Sequence, residues 1–485
     1  MKKIIAILLV FALFASCKKL TDLNKNTKDP STTTGESLFT GAQKKLFEQM
    51  VTSNVNYNIW RLIDQYWNET TYLDETNYNL VNRTIPDNHW DRLYEDVLKN
   101  LTESSKIITS TTYADPSPAV KQNKLKIVDI MSVYAWSVLV ETFGNIPYSQ
   151  AFNSTYVLPV YDDGKTVYKD LIARLDVDLA GLDANWGSFD AADNMYQGDV
   201  SHWIKFANSL KLRMGMVLAD DDPAFSQATV NSVDFTNLIS SNADNAVLIY
   251  LGSAPNTNPM YEDQVASGRH DFVAANTLVD TMNNLNDQRR PFYFTQVDTS
   301  SIDTIHKYAY LGANYGHSSN YHAFSHAATA MWLPTFPGTI FEYSEVEFLL
   351  AEAVERGGYT VTGTAESHYN NAITASIEYW GGATSDAVTY LAQPNVAYAT
   401  APGNFKQKIG VQQWIAYYNR GFEGWTEQRR MDFPVLIPGP NALSAYPVRY
   451  TYPIEEQTLN GANYNAASTA IGGDLVTTKL FWDKY

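Results

Sequence analysis

The chain has 485 residues, 45% hydrophobic and 18% charged, enough apolar content to bury a large core. Its 35 basic side chains stand against 52 acidic ones, a formal charge of −17. That balance argues against nucleic-acid binding, which needs a basic surface to displace counterions, and against charge-driven attachment to anionic lipid.

Lys2 and Lys3 precede an apolar run from Ile4 to Phe14 that closes on Ala15, Ser16 and Cys17. A basic start, a short apolar stretch and small residues before the cut describe a secretory signal over residues 1–16, too short to span a bilayer. Cys17, the only cysteine in the chain, stands at the expected cut, in a pattern that resembles a bacterial lipobox with Phe14 in place of the usual Leu. On that reading Cys17 carries the lipid anchor. Residues 17–35, rich in Lys, Thr, Asn, Asp and Ser, form the tether.

The rest, 36–485, reads as one globular unit. A helix is expected at about 36–50. The stretch 54–83 begins as a helix, with Ile59, Leu62, Ile63 and Tyr66 on one face. It then dissolves into Asn, Thr, Tyr and Asp, a loop poor in aliphatic residues yet carrying Trp67, Tyr72 and Tyr78. Helical spacing returns over 90–108. In 124–143 nearly every position is apolar apart from Lys126, Asp129, Ser132, Ser137 and Glu141, so this helix is expected to be buried around most of its circumference. Gly144 caps it and Pro147 stops it from resuming.

Amphipathic helices follow at 166–182 and 201–219. Neighbouring pairs have the form of tetratricopeptide helix-turn-helix units, without a strict repeat period. From 220 to about 343 the periodicity fades into an Asn-, Ser-, Gly- and Tyr-rich region, with a strand at 246–251 and a helix near 274–282; long irregular insertions of this kind are usually functional. Helices resume at 344–356, 365–379 and 407–430. The fold class is therefore mostly α, a helical scaffold over about 36–219 and 344–435 with an irregular insertion and minor β.

Several stretches, in order along the chain, carry a family resemblance. W-x-x-L-x-E-x-F-G-N-I-P-Y-x-x-A from Trp136 to Ala151, SEVEFLLAEA at 344–353, WIAYYNRGFEGWTEQRRMDFP at 414–434, RYTYPIEEQTLNGANYNAA at 449–467 and the terminal KLFWDKY resemble the SusD/RagB family of nutrient-binding outer-membrane lipoproteins. The resemblance implies an α/α superhelical, tetratricopeptide-containing lipoprotein. It would be lipid-anchored at the cell surface and pair with a SusC-like TonB-dependent transporter to deliver glycan, or in some members peptide. In glycan-binding relatives the ligand-facing aromatics come from the chain leading into the first tetratricopeptide helix and from the inserted region. Trp90 and the stretch 308–332 occupy comparable places here.

Residue chemistry fits a glycan, since a sugar ring offers an apolar C–H face to aromatic platforms and hydroxyls to polar side chains. The candidate ligand-binding residues are Trp67, Tyr72, Asp74, Tyr78, Arg83, Trp90, Tyr310, Tyr315, Tyr321 and Trp332. A peptide ligand is the alternative, and a surface glycosidase the third reading, which only the spatial separation of carboxylates can test.

No catalytic pattern emerges. His317, His322 and His326 lack the H-E-x-x-H arrangement, because Ala323 follows His322. Gly164-Lys165-Thr166 resembles the end of a phosphate loop, but Pro159 stands where its first glycine belongs, so it reads as a turn and a helix start. No metal and no cofactor are expected. Arg429 and Arg430, beside Glu423 and Glu427, read as buried ion pairing.

Overall fold

The computed structural model describes residues 33–113, 117–300 and 307–485. Cys17, the signal segment and most of the tether lie outside them. Thr34 caps the first helix, Gly35–Val51, its hydroxyl accepting from Ser37 N.

Helix Pro118–Phe143 forms the spine, and from Ile127 to Phe143 every residue is buried except Asp129, which is half-buried. Even Ser137 and Glu141 are buried. Their polar atoms are satisfied internally, Ser137 Oγ donating to Tyr134 O and Tyr168 donating to Glu141 Oε1 at 2.7 Å. Gly144 has φ 86° and ψ −109°, a conformation outside the ordinary left-handed cap and open to glycine alone. The chain then turns so tightly that a Cβ on Gly164 would lie 2.6 Å from Gly144 O. Asp163 caps the following helix, Gly164–Gly181, by accepting from Thr166 N, which gives the Gly-Lys-Thr triplet a purely structural role.

Around this spine pack Gly35–Val51, Lys99–Ser110, Gly164–Gly181 and Val200–Val217, as consecutive antiparallel neighbours of the tetratricopeptide kind. The helix expected at 90–108 is longer and irregular: Ile85–Asp91 runs through a π segment, Arg92–Leu98, into Lys99–Ser110. The second helical part comprises Tyr343–Arg356, Ala365–Tyr379, Thr384–Leu391, Phe405–Ala416 and Gly421–Met431.

The single helix expected over 407–430 is in fact two. Apolar periodicity runs unbroken through the join, but Asn419 turns its backbone and side-chain oxygens to Arg61 Nη2 at 3.1 and 3.0 Å. Gly421 starts the second helix so close to the Trp60–Ile63 turn that a Cβ would lie 2.8 Å from Arg61 N. These tertiary contacts override the local pattern.

Between the helical parts lies the expected irregular region, and its two ends meet. Strand β2 (Ala246–Leu248) pairs antiparallel with β6 (Gly338–Phe341), a clasp that returns the chain to the scaffold. Two further antiparallel pairs join β1 (Trp67–Glu69) to β3 (Phe272–Ala274) and β4 (Val297–Asp298) to β5 (Tyr308–Ala309). The strand expected at 246–251 is shorter than its apolar run, with Ile249 and Leu251 exposed.

The helical parts are locked together by buried charge. Arg430 reaches Glu352 and Glu427, each at 2.5 Å, and Glu352 also pairs with Arg356 at 2.6 Å. Burial alone would raise the Glu352 carboxyl, but the two guanidiniums outweigh it and hold it below the usual range. Arg213 and Arg420 converge on Glu345 in the same layer. Arg429 is also buried, yet it departs from the expected ion pairing: its Nη1 donates to the carbonyls of Glu141 and Val448, and its guanidinium lies 3.5 Å from the Trp425 ring centre.

Candidate functional site

The two loop regions singled out in the sequence come together, and a third segment joins them. In the β1–β3 ladder Trp67 faces Ala274, Asn68 faces Val273 and Glu69 faces Phe272. Beyond its end, Thr70 N donates to Asp271 O at 2.8 Å and Thr70 Oγ1 to His270 O at 3.0 Å. On the other side Ser319 N donates to Thr70 O, Asn68 Nδ2 to His317 O, and Gly316 N to Asn68 Oδ1. Segments 67–83, 269–275 and 311–326 are thus stitched through backbone groups, which fixes the positions of their side chains.

The first two of these segments, with Val55, form a cleft of about 120 Å³ lined by Val55, Glu69, Thr70, Thr71, Tyr72, Arg83 and Arg269 to Phe272. Tyr72 is 68% exposed at its edge. His270 carries the surface onward, its ring stacked on Tyr321 with centroids 4.5 Å apart. Tyr321 is sandwiched, its other face lying 4.5 Å from His326 at 7°. Burial, and then the neighbouring His270 and His322, hold His326 below its ordinary pKa, which favours the neutral ring in this stack. Arg269 pairs with Asp271 at 2.5 Å.

Two carboxyls lie beneath the cleft. Glu75 is fully buried and pairs with Arg83. Glu69 Oε2 accepts from Thr76 N at 2.8 Å and Thr76 Oγ1 at 2.7 Å. Burial, and then the neighbouring Glu75 carboxyl, push Glu69 up to about 9, which favours its protonated form at neutral pH. Carboxyls in direct contact leave no space for a glycosidic oxygen between them, so this is not a glycosidase arrangement.

Of the ten residues chosen from the sequence, Tyr72 and Arg83 line the cleft and Tyr321 adjoins it through His270. Asp74 is exposed on the same loop, accepting from Asn79 Nδ2. Trp67, Tyr78 and Tyr315 are buried and offer no platform face. Tyr315 instead donates to the carbonyls of Leu62 and Thr76, which supports the loop from below. Trp332 is half-buried against Trp67, the two rings 5.8 Å apart. Tyr310 sits beside Arg290, outside the cleft lining.

Trp90 is not brought to the cleft. It is 6% exposed and packs on Tyr94 and Phe143, at 4.7 and 5.0 Å. Sequence reasoning missed Arg269, His270 and Asp271, which follow the positive-φ Gly268 in a stretch resembling any polar turn. Only the strand pairing discloses them. Among the described residues no group of three His, Cys, Asp or Glu side chains could hold a metal ion.

A family profile described as "Starch-binding associating with outer membrane" matches residues 26–453. A solved structure named a chitin-binding protein is similar, at 26% identity and a TM-score of 0.80, covering 93% of this chain and 100% of that one. A SusD homolog from Bacteroides uniformis shows 25% identity and a TM-score of 0.77, covering 92% and 99%. A chitin-binding SusD homolog from Flavobacterium johnsoniae shows 22% identity and a TM-score of 0.76, a likeness of fold, covering 92% and 98%. No curated protein matches. With the profile extending over most of the helical scaffold and the insertion, the chain belongs to the SusD-like family of non-catalytic, glycan-binding proteins.

Proposed function

We propose that the protein captures a glycan at the cell surface against the face formed by Tyr72, His270 and Tyr321, and passes it to a SusC-like TonB-dependent transporter. The observation that carries this reading is the stitching of three distant segments so that exposed rings flank a cleft with Arg83, Arg269 and Asp271 around it. Rings of that kind stack on sugar C–H faces, and the charged groups orient hydroxyls. Tyr72, Arg83 and the edge of Tyr321 make contact in this scheme, Asp74 lies at the rim, and Trp67, Tyr78, Tyr315 and Trp332 hold the loops in place. Lipidation of Cys17 after removal of residues 1–16, with the following residues as tether, keeps residues 36–485 beside the transporter as one unit.

A panel of neutral oligosaccharides titrated by calorimetry tests the reading. Tyr72→Ala should weaken binding about tenfold, the loss of one stacking contact, and Tyr321→Ala should weaken it similarly by removing the ring that holds His270 in place. Unchanged affinity in both would place the ligand elsewhere, and capture of peptides with no glycan bound would turn the reading to peptide uptake.

A further inference from the structure

A second concavity, of about 460 Å³, opens between the Arg290–Tyr293 turn, the 328–337 segment and the end of helix Ala365–Tyr379. Its size falls within the range of small-molecule sites, about 300–1,000 Å³. Five aromatic side chains wall it: Phe292, Phe294, Phe336, Tyr379 and Trp380. All but Phe294 keep part of their surface open to solvent. Thr329 supplies a hydroxyl, that of Thr295 being engaged by His326, and no lining side chain carries a charge at neutral pH.

The local sequence builds this wall. Helix Ala365–Tyr379 stops at Trp380 and Gly381, where φ is +102° and a Cβ would lie 3.3 Å from Phe292 Cε1. The glycine lets the Phe292 ring lie against the end of the helix. Trp380 is clamped from within, 4.6 Å from Tyr293 and 5.9 Å from Tyr418, and lies 6.3 Å from Phe336. Its Nε1–H meets no acceptor among the described residues. Stacking, with no hydrogen bond, therefore orients the indole and leaves its donor uncommitted.

The cavity is separate from the Tyr72 cleft and shares no lining residue with it. Between them stands a wall of rings: Phe272 lies 5.3 Å from Trp67, whose Nε1 donates to Tyr418 Oη at 2.9 Å. The inserted segment borders both, with Tyr321 on one side and Ala328 to Ala330 on the other. The chemistry of the two differs. The first offers two guanidiniums and a carboxylate, whereas the second offers only rings and a hydroxyl.

From this contrast we infer that the Phe292–Trp380 cavity is a second subsite for an uncharged glycan, seating pyranose rings against Phe292 and Trp380. The inference rests on the glycan-binding reading above. A sugar fits better than a peptide because nothing in the lining can pair a terminus or a charged side chain, while C–H faces match the rings and a hydroxyl matches Thr329.

The test is calorimetric titration of the mature chain with malto-, chito-, xylo- and cello-hexaose. The variants are a Tyr72→Ala/Tyr321→Ala double, Phe292→Ala, and Ala330→Trp, which places bulk from an exposed position at the cavity. Melting temperatures are read in parallel, because Trp380→Ala would strip a ring from the core and is avoided. The subsite predicts that the double variant keeps a residual binding event for one hexaose. Phe292→Ala and Ala330→Trp, added to that double variant, should weaken the residual event about tenfold or more.

If the double variant abolishes all binding, or the residual event is indifferent to both substitutions in a folded protein, the second subsite is overturned while glycan capture stands. If no hexaose binds the unmodified chain, both readings fall. Binding at this cavity of apolar peptides in place of any hexaose would also overturn the subsite.

Discussion

The indole of Trp67 lies 5.8 Å from that of Trp332, with 42° between their planes. One ring comes from the first loop after the Trp60–Ile63 turn and the other from the end of the inserted region. The contact makes Trp67 a positioning residue for the ligand face although it touches no solvent. Trp67→Ala should cost about 3–5 kcal/mol, the usual price of emptying a large aromatic site. Trp67→Phe should keep most of the stability and most of the glycan affinity. Chemical denaturation alongside titration checks both, and a Trp67→Phe protein that is fully stable yet unable to bind would give the indole a direct role.

Gly316 and Gly439 meet back to back. A Cβ on Gly316 would lie 2.7 Å from Gly439 Cα, and one on Gly439 would lie 2.8 Å from Gly316 Cα. Gly316 also has φ +79°. Gly439→Ala should therefore push the C-terminal loop off the inserted segment, costing about 1–3 kcal/mol by overpacking. Limited proteolysis should then cut near 433–446 sooner than in the unmodified chain; an unchanged cleavage rate would show that the loop yields without cost.

Arg430 sits fully buried between Glu352 and Glu427. Arg430→Met leaves two carboxylates without their main partner and should destabilise by about 3–5 kcal/mol, whereas replacing all three by apolar residues of similar volume should recover much of the loss. Denaturant midpoints of the single and triple variants separate these outcomes. Equal destabilisation in both would mean that packing, not charge, is at stake.

Glu69 titrates far above its ordinary value, at about 9. A carboxyl whose folded pKa is raised stabilises fully only below its unfolded pKa, near 4.5, and that contribution is lost as pH rises through about 9. Glu69→Gln keeps an acceptor for Thr76 and a donor for Glu75 without the ionisation. It should leave the melting temperature nearly unchanged at pH 5 and raise it at pH 8 to 9. Thermal scans across that window decide, and a variant equally destabilised at every pH would refute the raised pKa of Glu69.

Cys17→Ala should release the protein from the membrane fraction into the soluble one, as read by fractionation and immunoblotting. Retention in the membrane fraction would refute acylation at Cys17.

The scaffold was legible where caps and periodicity agreed. Helix Ala365–Tyr379 has the boundaries its sequence predicts, because Thr364 supplies a capping box and Gly381 and Gly382 end it. Periodicity misled at 417–420, where the demand of Arg61 for oxygen acceptors breaks a pattern that looks continuous. At the proposed face, aromatic content pointed to two loop regions that the fold brings together, but not to which of their rings stay exposed. Tyr and Trp serve equally as core and as platform, so Trp90 and Tyr315 could not be told from Tyr72 by type. His270 carried no signal at all, since only its pairing beside β1 gives it a place.

The β2–β6 clasp has a consequence for diversification. The chain leaves and rejoins the scaffold through one short paired base. Exposed loops between 249 and 337 can therefore change length or composition without disturbing the register of any helix, provided that β3 still docks on β1 and that Arg289 and Tyr293 keep their contacts with Gln412 and Ile415. A lineage can revise the surface this cartridge presents by rewriting it, while the helical scaffold stays constant.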